Sequence, residues 1–393
     1  MNLRTSAALL AAVALAAPAG AQVTVRAENP LAAARPDETL SVSWATLRRA
    51  IPTLRADGVR VVDAATGAEI LSQPLDADGD GTVDELLFQS AFWPRESKEF
   101  RVEARAAATP AKPRVFARHD PPRDDVAWES ERIAFRMYGQ GLWNAKEYEP
   151  LVSSGVDVWV KRTRNLIVEK WYGAGHDSYH VDRGEGADFY SVGPTLGAGG
   201  TAVWRDGKMY PAKNFRTHRI IANGPIRVLF ELGYDPFDAG GMQVSETRRI
   251  SMDAGQNVFR SESTFRTPDG SDITYVTGTV KRAGLVGSSN RAGPWGWVAT
   301  WGPVELKNGG HGRMGTAVLL EKSRMIDTRE TSDHFLGVAT ARSGVPAAHY
   351  VGAGWTASGD FATVEDWWSY LDAFGQRLAN PVRVTVAGAS AAR

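Results

Sequence analysis

The most polar part of the sequence is the stretch from Trp171 to Tyr190, and its residue types suit acid–base chemistry. It holds two histidines, three aspartates, one glutamate, one arginine and three tyrosines among four glycines. Such a loop brings general acids, general bases and a partner for an anion within short reach of one another. The glycine-rich residues 193–200 that follow allow the backbone to approach a ligand closely. The pattern favours a functional site over a surface loop whose side chains only pair with each other.

A set of cationic residues follows this stretch. Lys208, Lys213, Arg216, His218 and Arg219 lie close together in the sequence. At the rim of a site, such side chains neutralise carboxylates or sulfates, and arginine does so through two hydrogen bonds. Alternate strand residues that point to water would show the same pattern. Lys213 and His218 are the members predicted to bind substrate.

The sequence is also rich in tryptophan, with 13 residues. Sugar rings present apolar C–H faces that stack on flat aromatic side chains, so exposed tryptophans beside polar groups suit carbohydrate. At least half of them are expected in the core. Trp295, Trp297 and Trp301 lie in a segment interrupted by Gly and Pro and, with Trp355, are expected to be exposed. Trp143, Trp297 and Trp355 are predicted to bind substrate.

Residues 76–85 resemble the first half of a calcium-binding loop. Aspartates alternate there and a glycine follows the third, which permits the sharp turn that lets carboxylates converge on a cation. Leu87 stands where a twelve-residue loop would end in a bidentate glutamate. The alternative is an acidic turn satisfied by its own backbone. We expect any calcium to be structural and expect no cofactor to be required; the predicted ligands are Asp76, Asp78, Asp80 and Asp84.

His176 and His180 offer a rival use of the polar stretch, as zinc ligands. Their spacing would place both on one face of a helix. The glycines around them argue against a helix, and the chain contains no cysteine. Zinc is therefore the less favoured interpretation of these two histidines.

The composition limits the classes of protein to which the chain can belong. Its 393 residues include 45 basic and 45 acidic side chains. Residues 1–21 have one early charge, an apolar run and a small-residue ending, which predicts a cleaved signal peptide and a periplasmic or secreted protein. Cleavage would leave 44 basic and 45 acidic residues. That balance predicts no attraction to nucleic acid, and no other apolar run is long enough to span a membrane.

The spacing of apolar residues predicts an all-β protein with two domains. Period-two alternation in residues 22–106 predicts a small β-sandwich. The proline-rich residues 107–125 are interpreted as a surface linker. Residues 126–390 again show strand patterns without βαβ alternation, which predicts a large antiparallel sandwich. One helix is expected near residues 363–371, where Thr363 and Asp366 resemble a capping box.

The stretch Tyr179–Gly197 resembles the domain-of-unknown-function family 4861. Residues 75–81, 154–162, 223–227 and 350–355 extend the resemblance over nearly all of the mature chain. Members of that family sit among carbohydrate-degradation genes of environmental and gut bacteria. The resemblance implies that the large domain is a galactose-mutarotase-like supersandwich. Because epimerases, glycoside hydrolases and several polysaccharide lyases share that fold, the fold alone does not choose among them.

The leading hypothesis is a polysaccharide lyase that acts on uronate-containing, and therefore acidic, glycans. β-Elimination needs a partner for the uronate carboxylate, a base for the C5 proton and an acid for the leaving oxygen. His180 is the predicted base and Tyr190 the predicted acid. Arg183 or Lys213 is predicted to neutralise the carboxylate, and Glu185 completes the catalytic set.

Two other functions use the same features. A glycoside hydrolase or epimerase would need a pair of carboxylates, for which Asp182, Glu185 and Asp188 are candidates. A periplasmic glycan-binding protein would need only stacking tryptophans and a stable sandwich. In each case Tyr179, Asp182 and Asp188 are predicted to contact an oligo- or polysaccharide.

Overall fold

The computed structural model describes residues 22–106, 111–146, 150–304 and 310–387. Antiparallel strands dominate these ranges, which confirms the predicted all-β class. The predicted signal peptide, residues 1–21, lies outside them. In the ranges described, no helix has the length and apolar character needed to cross a bilayer.

The first part of the chain forms two small sheets that pack face to face; one has three strands, and the other has five because residues 383–386 add a strand to its edge. A helix, α1 (Trp44–Ala50), follows the second strand. A 3₁₀ turn, Ala56–Gly58, precedes the third. The strands are β1 (Gln22–Glu28), β2 (Arg35–Ser43), β3 (Val59–Asp63), β4 (Glu69–Ile70), β5 (Ser72–Leu75), β6 (Glu85–Phe92) and β7 (Ser97–Ala104).

The second part of the chain begins with a five-stranded sheet in which neighbours in sequence are mostly neighbours in space. Two 3₁₀ turns, Gln140–Asn144 and His176–Ser178, and the helix α2 (Val168–Gly173) lie in its connections. Its strands are β8 (Val115–Asp120), β9 (Asp125–Ser130), β10 (Ile133–Tyr138), β11 (Asp157–Lys161) and β12 (Gly186–Asp188).

Another five-stranded sheet and a nine-stranded sheet complete the large unit. A 3₁₀ turn, Thr356–Ser358, and the helix α3 (Val364–Ala379) follow the last long strand. Their strands are β13 (Ala198–Arg205), β14 (Lys208–Pro211), β15 (Thr217–Asn223), β16 (Arg227–Gly233), β17 (Phe237–Asp238), β18 (Gln243–Asp253), β19 (Val258–Arg266), β20 (Ile273–Val280), β21 (Val286–Asn290), β22 (Trp295–Pro303), β23 (Arg313–Glu321), β24 (Met325–Glu330), β25 (His334–Ala341) and β26 (Ala347–Trp355). The last described strand, β27 (Arg383–Val386), belongs to the five-stranded small sheet.

The three sheets of the large unit share one apolar core. β18 shows why, because fully buried side chains alternate with half-buried or exposed ones along its eleven residues, so one face must pack against another layer. Core side chains come from all three sheets, including Trp128, Phe230 and Tyr275. The arrangement is a sandwich of antiparallel sheets, as the strand patterns predicted.

The predicted linker contains regular structure. β8 lies within residues 107–125 and pairs along its whole length with β9. Val115 and Ala117 are buried in the main core, so this part of the segment belongs to the large unit. The prolines at positions 110 and 113 led to the prediction of a linker. They precede the strand and do not interrupt it, so they are compatible with it.

Helix α3 confirms the helix predicted near residue 363. Thr363 accepts a hydrogen bond from the backbone N–H of Asp366, whose side chain accepts one from the backbone N–H of Thr363. The apolar face of α3 packs over β22 and β23, burying Trp297 and Trp301 beneath Trp367. These tryptophans are therefore core residues of a second layer.

Candidate functional site

A cleft of about 790 Å³ opens between the sheet formed by β8–β12 and the polar stretch of residues 171–190. Three strands supply its floor, with Asp125 at the start of β9, Arg136 on β10 and Asp188 at the end of β12. The segment after α2 supplies one wall. Gly175 there has a φ of 91°, a conformation that favours glycine, and the turn carries His176 and His180 to the cleft.

Arg136 organises the floor of the cleft. It lies opposite Asp157 in the pairing of β10 with β11, and its Nε donates to Asp157 Oδ2 at 2.9 Å. Its other nitrogens donate to Asp188 Oδ2 at 2.9 Å and to the Tyr179 hydroxyl at 3.0 Å. A buried guanidinium needs this many partners, because an unpaired buried charge is costly. Arg136 therefore fixes the positions of three functional groups at once.

Asp125 is buried at the floor and has an unusual protonation equilibrium. Its Oδ1 accepts from the Tyr172 hydroxyl at 2.5 Å, and its Oδ2 lies 3.7 Å from Arg136 Nη1. Burial raises the pKa of Asp125 to about 6, although Arg136 opposes the shift. Oδ2 has no hydrogen-bond partner among the described residues. A carboxyl group in this state can donate a proton or a hydrogen bond to a ligand.

Asp188 behaves in the same way. Burial, with the neighbouring charge of Asp157, raises the pKa of Asp188 well above its ordinary value, and Arg136 only partly opposes this. The floor of the cleft thus holds two carboxyl groups whose protonated forms are favoured by their surroundings.

The two histidines of the cleft are held in their neutral forms. Burial lowers the pKa of His176 to about 4, and the adjacent His180 acts in the same direction. Burial also lowers the pKa of His180. Nδ1 of His180 lies 3.1 Å from the backbone carbonyl of Asp188 and 3.6 Å from its Oδ2. A carbonyl only accepts, so Nδ1 carries the proton and Nε2 keeps its lone pair.

Tyr179 connects these groups. Its hydroxyl accepts from Arg136 and lies 2.7 Å from Nδ1 of His176. Burial raises the pKa of Tyr179, so the phenol stays protonated and donates to the neutral imidazole of His176. Its ring stacks on Trp159 with centroids 4.8 Å apart, which fixes the orientation of the hydroxyl.

Four of the predicted site residues line this cleft together: Tyr179, His180, Asp188 and Tyr190. The other charged members of the polar stretch do not line it. Arg183 is exposed, Asp182 pairs with Arg162, and Glu185 pairs with Lys170 at 2.7 Å. These three residues precede β12, in a turn where Asp182 Oδ1 accepts from the backbone N–H groups of Gly184 and Gly186.

The predicted cationic and aromatic substrate contacts also lie outside the lining of the cleft. Lys213 is exposed, with its ammonium 5.5 Å from the ring of Trp143. His218 is exposed and stacks on His119 with centroids 3.8 Å apart. These pairs satisfy each other at the surface.

Trp297 and Trp355 were expected to be exposed, and this expectation is wrong. Trp355 is 0% exposed and its Nε1 donates to the carbonyl of His311 at 2.6 Å. Trp297 is 4% exposed because α3 covers it, and its Nε1 donates to Asp372 at 2.7 Å. Neither ring has a free face on which a sugar can stack.

Sequence reasoning missed four groups that line the cleft: Arg123, Asp125, Arg136 and His311. Arg136 had a visible signal, since it is a charged residue within the apolar run of β10, in which all six residues are buried. Such a charge must have buried partners. Asp125 was concealed at the edge of the predicted linker.

The structure brings three of the four predicted calcium ligands together. Ligand atoms of Asp76, Asp78 and Asp84 lie within 4.8 Å of one another. Asp76 accepts from the backbone N–H groups of Gly79 and Gly81, both at 2.7 Å. The loop thus satisfies itself in part, and calcium binding stays a prediction. His176 and His180 belong to no such group within the described ranges.

The chain belongs to the family described as "Domain of unknown function (DUF4861)", whose model matches residues 27–384. A relative named "Uncharacterized protein P7", from Formosa agariphila, is 31% identical over 380 residues and covers 92% of this chain and 93% of its own.

Among solved structures, the chain is similar in fold to a protein in the Glycosyl Hydrolase Family 38 from Enterococcus faecalis. The TM-score is 0.51 at 8% identity, over 93% of this chain and 47% of that one. An alpha-mannosidase from Enterococcus faecalis V583 gives a TM-score of 0.50 at 8% identity, over 95% and 46%. The chain spans about half the length of these structures, and identity this low shows a likeness of fold alone.

Proposed function

We propose that this protein is an exported carbohydrate-active enzyme that cleaves uronate-containing glycans by β-elimination. The observation that carries the proposal is the grouping of His180, Tyr190 and the buried carboxyl group of Asp125 in one cleft. The distant likeness to a glycoside hydrolase structure supports a role in carbohydrate chemistry. The signal-peptide pattern of residues 1–21 supports a periplasmic or secreted location.

His180 suits the role of base. Its Nδ1–H donates to the backbone carbonyl of Asp188, and its lowered pKa leaves Nε2 unprotonated near neutral pH. In the proposed step Nε2 takes the C5 proton of the uronate. The electron pair of that C–H bond forms the C4=C5 double bond as the C4–O4 bond breaks. Tyr190 donates its hydroxyl proton to the departing O4.

The floor of the cleft suits a carboxylate. β-Elimination places negative charge on the uronate carboxylate as the C5 proton leaves, so that carboxylate must be stabilised. Oδ2 of Asp125 is buried at the floor, and its raised pKa favours the protonated form, which can donate a hydrogen bond to that carboxylate. Arg123 also lines the cleft and adds positive charge. This assignment replaces Arg183 and Lys213, which lie outside the cleft lining.

The test is to incubate the protein with polygalacturonate, alginate, chondroitin and chondroitin sulfate and follow the ultraviolet absorbance of the unsaturated product. We expect His180→Gln to lower kcat/KM by roughly 10²- to 10⁴-fold, as for loss of a general base. Val181→Ala is the matched control, because Val181 is 49% exposed beside it. Wild-type protein that forms no unsaturated product from any of these glycans would contradict the proposal.

Hydrolysis is the second candidate function, and Asp125 is the observation that favours it. A carboxyl group with a pKa of about 6 is suited to act as a general acid at neutral pH. Asp188 lines the same cleft and supplies a second carboxyl group. New reducing ends without ultraviolet absorbance would favour hydrolysis. Binding without any turnover would favour a glycan-binding protein.

A further inference from the structure

We propose that the cleft continues past Tyr190 into a second sugar subsite, in which Arg282 recognises an anionic group on the neighbouring sugar. This inference rests on the proposed function and specifies its substrate. The second cavity has a volume of about 510 Å³ and shares Phe189 and Tyr190 with the first. The two cavities therefore meet at this pair of aromatic residues.

The position of Tyr190 matches the geometry of the reaction. The oxygen that leaves in β-elimination is the one that joins two sugars, so its proton donor must lie between the two subsites. Tyr190 lines both cavities, whereas His180 and Asp125 line only the first. The uronate that loses its C5 proton accordingly occupies the first cavity, and the sugar that leaves occupies the second.

Among the residues described, the second cavity combines an apolar wall with the cationic side chain of Arg282. Leu285, Val304 and Met314 contribute to the wall, which suits the C–H face of a sugar ring. The hydroxyl groups of Thr300 and Thr316 lie 2.9 Å apart and add polar atoms.

The guanidinium of Arg282 lies over the ring of Tyr190, with its central carbon 4.8 Å from the ring centroid. This contact holds the side chain at the boundary between the two subsites. A guanidinium has five N–H donors in a planar fork, so it can hold a carboxylate or sulfate with two hydrogen bonds while keeping other contacts. Arg282 is therefore expected to bind a carboxylate or a sulfate group on the second sugar.

The experiment compares glycans that share the uronate but differ in its neighbour. Unsulfated chondroitin has a neutral neighbour, chondroitin sulfate a sulfated one, and polygalacturonate a neighbour with a carboxylate. We expect Arg282→Ala to lower kcat/KM by roughly 10- to 100-fold wherever the neighbour is anionic, the loss typical of a hydrogen-bonded charge. Turnover of chondroitin should stay within twofold, and the two anionic glycans separate sulfate from carboxylate recognition.

Two control variants keep the result interpretable. Arg282→Lys retains the charge but not the fork and should fall between wild type and Arg282→Ala. Arg329→Ala removes a surface arginine that is paired with Asp327 at 2.7 Å, away from both cavities, and should leave all rates unchanged.

Calorimetric binding of tetrasaccharides from the same glycans separates the two proposals. Turnover with an equal effect of Arg282→Ala on all glycans, or with no effect, overturns the subsite and leaves the lyase proposal standing. Binding that prefers anionic neighbours through Arg282, without turnover, supports the subsite and overturns the lyase. If the protein shows neither turnover nor binding of these glycans, both the subsite and the lyase proposals are overturned.

Discussion

At the scale of single residues, the cleft contains carboxyl groups whose charged forms are disfavoured by burial. Asp125 and Asp188 are both buried, and their raised pKa values follow mainly from burial. Arg136 compensates for only part of this effect. Buried carboxyl groups with raised pKa values are enriched at functional sites, because a fold selected for stability alone would avoid them.

Asp125→Asn should make the protein more stable at neutral pH. The pKa of Asp125 is about 6 in the folded protein against an ordinary 3.8. The folded protein therefore loses stability as pH rises from about 4 to 6, where the unfolded chain is already ionised. That difference corresponds to about 3 kcal/mol, and asparagine keeps an acceptor for the hydroxyl of Tyr172. Urea unfolding at pH 4 and pH 7 measures the gain.

The gain from Asp125→Asn should be larger at pH 7 than at pH 4, since the wild-type carboxyl group is protonated at the lower pH. Asp206→Asn is the control, because its side chain is 81% exposed and should change stability little at either pH. An equal effect of Asp125→Asn at both values would show that its carboxyl group is not destabilised by ionisation.

At the scale of elements, α2 positions the wall of the cleft and is itself held by one buried carboxylate. Oxygens of Glu129 accept from the backbone N–H groups of Ile167 and Val168 at 2.7 and 2.8 Å, and from Lys161 Nζ at 2.7 Å. The side chains of Glu129 and Lys161 are fully buried. The six-residue helix is too short to be stable by itself, so this contact maintains its start.

Glu129→Gln should destabilise the protein strongly, because it leaves the ammonium of Lys161 buried without its counter-ion. Loss of one partner of a buried pair costs about 3–5 kcal/mol. Glu169→Gln, on the exposed side of α2, should cost less than about 0.5 kcal/mol. Denaturant unfolding gives both values.

Adding Lys161→Met to Glu129→Gln removes the unpaired charge and should restore much of the stability. If Glu129→Gln alone lowered the free energy of unfolding no more than the Glu169→Gln control, the contacts of Glu129 would not be what stabilises the start of α2.

At the scale of the whole molecule, the first and last described strands meet. β27 pairs with β1 from Val25↔Val386 to Glu28↔Arg383, so the last described strand forms the edge of the first small sheet. Gln73 of the small unit accepts from the backbone N–H of Ile226 in the large unit at 2.8 Å. The two units are thus joined both through the chain ends and through their facing surfaces.

Val384→Asp should unfold this edge. The side chains of Val384 and Val386 are half-buried against the small core, whereas Thr385 points to solvent. An unpaired charge on the packed face should cost about 1–3 kcal/mol. Thr385→Asp is the matched control on the opposite face, with an expected change below about 0.5 kcal/mol. Equal effects of the two substitutions in urea unfolding would show that β27 does not pack on the small core.

The sequence by itself determined the class of fold, the capped helix α3 and the polar stretch that contributes to the cleft. These features are local, because period-two alternation, a capping box and a dense polar run are each encoded within about a dozen residues. The tertiary structure decided which polar groups converge. His180 and Tyr190 meet Asp125 and Arg136 only because strands β9, β10 and β12 share a sheet. The tertiary structure also decided which side chains are buried. Helix α3 covers Trp297, and no local sequence pattern indicates which helix packs over which strand.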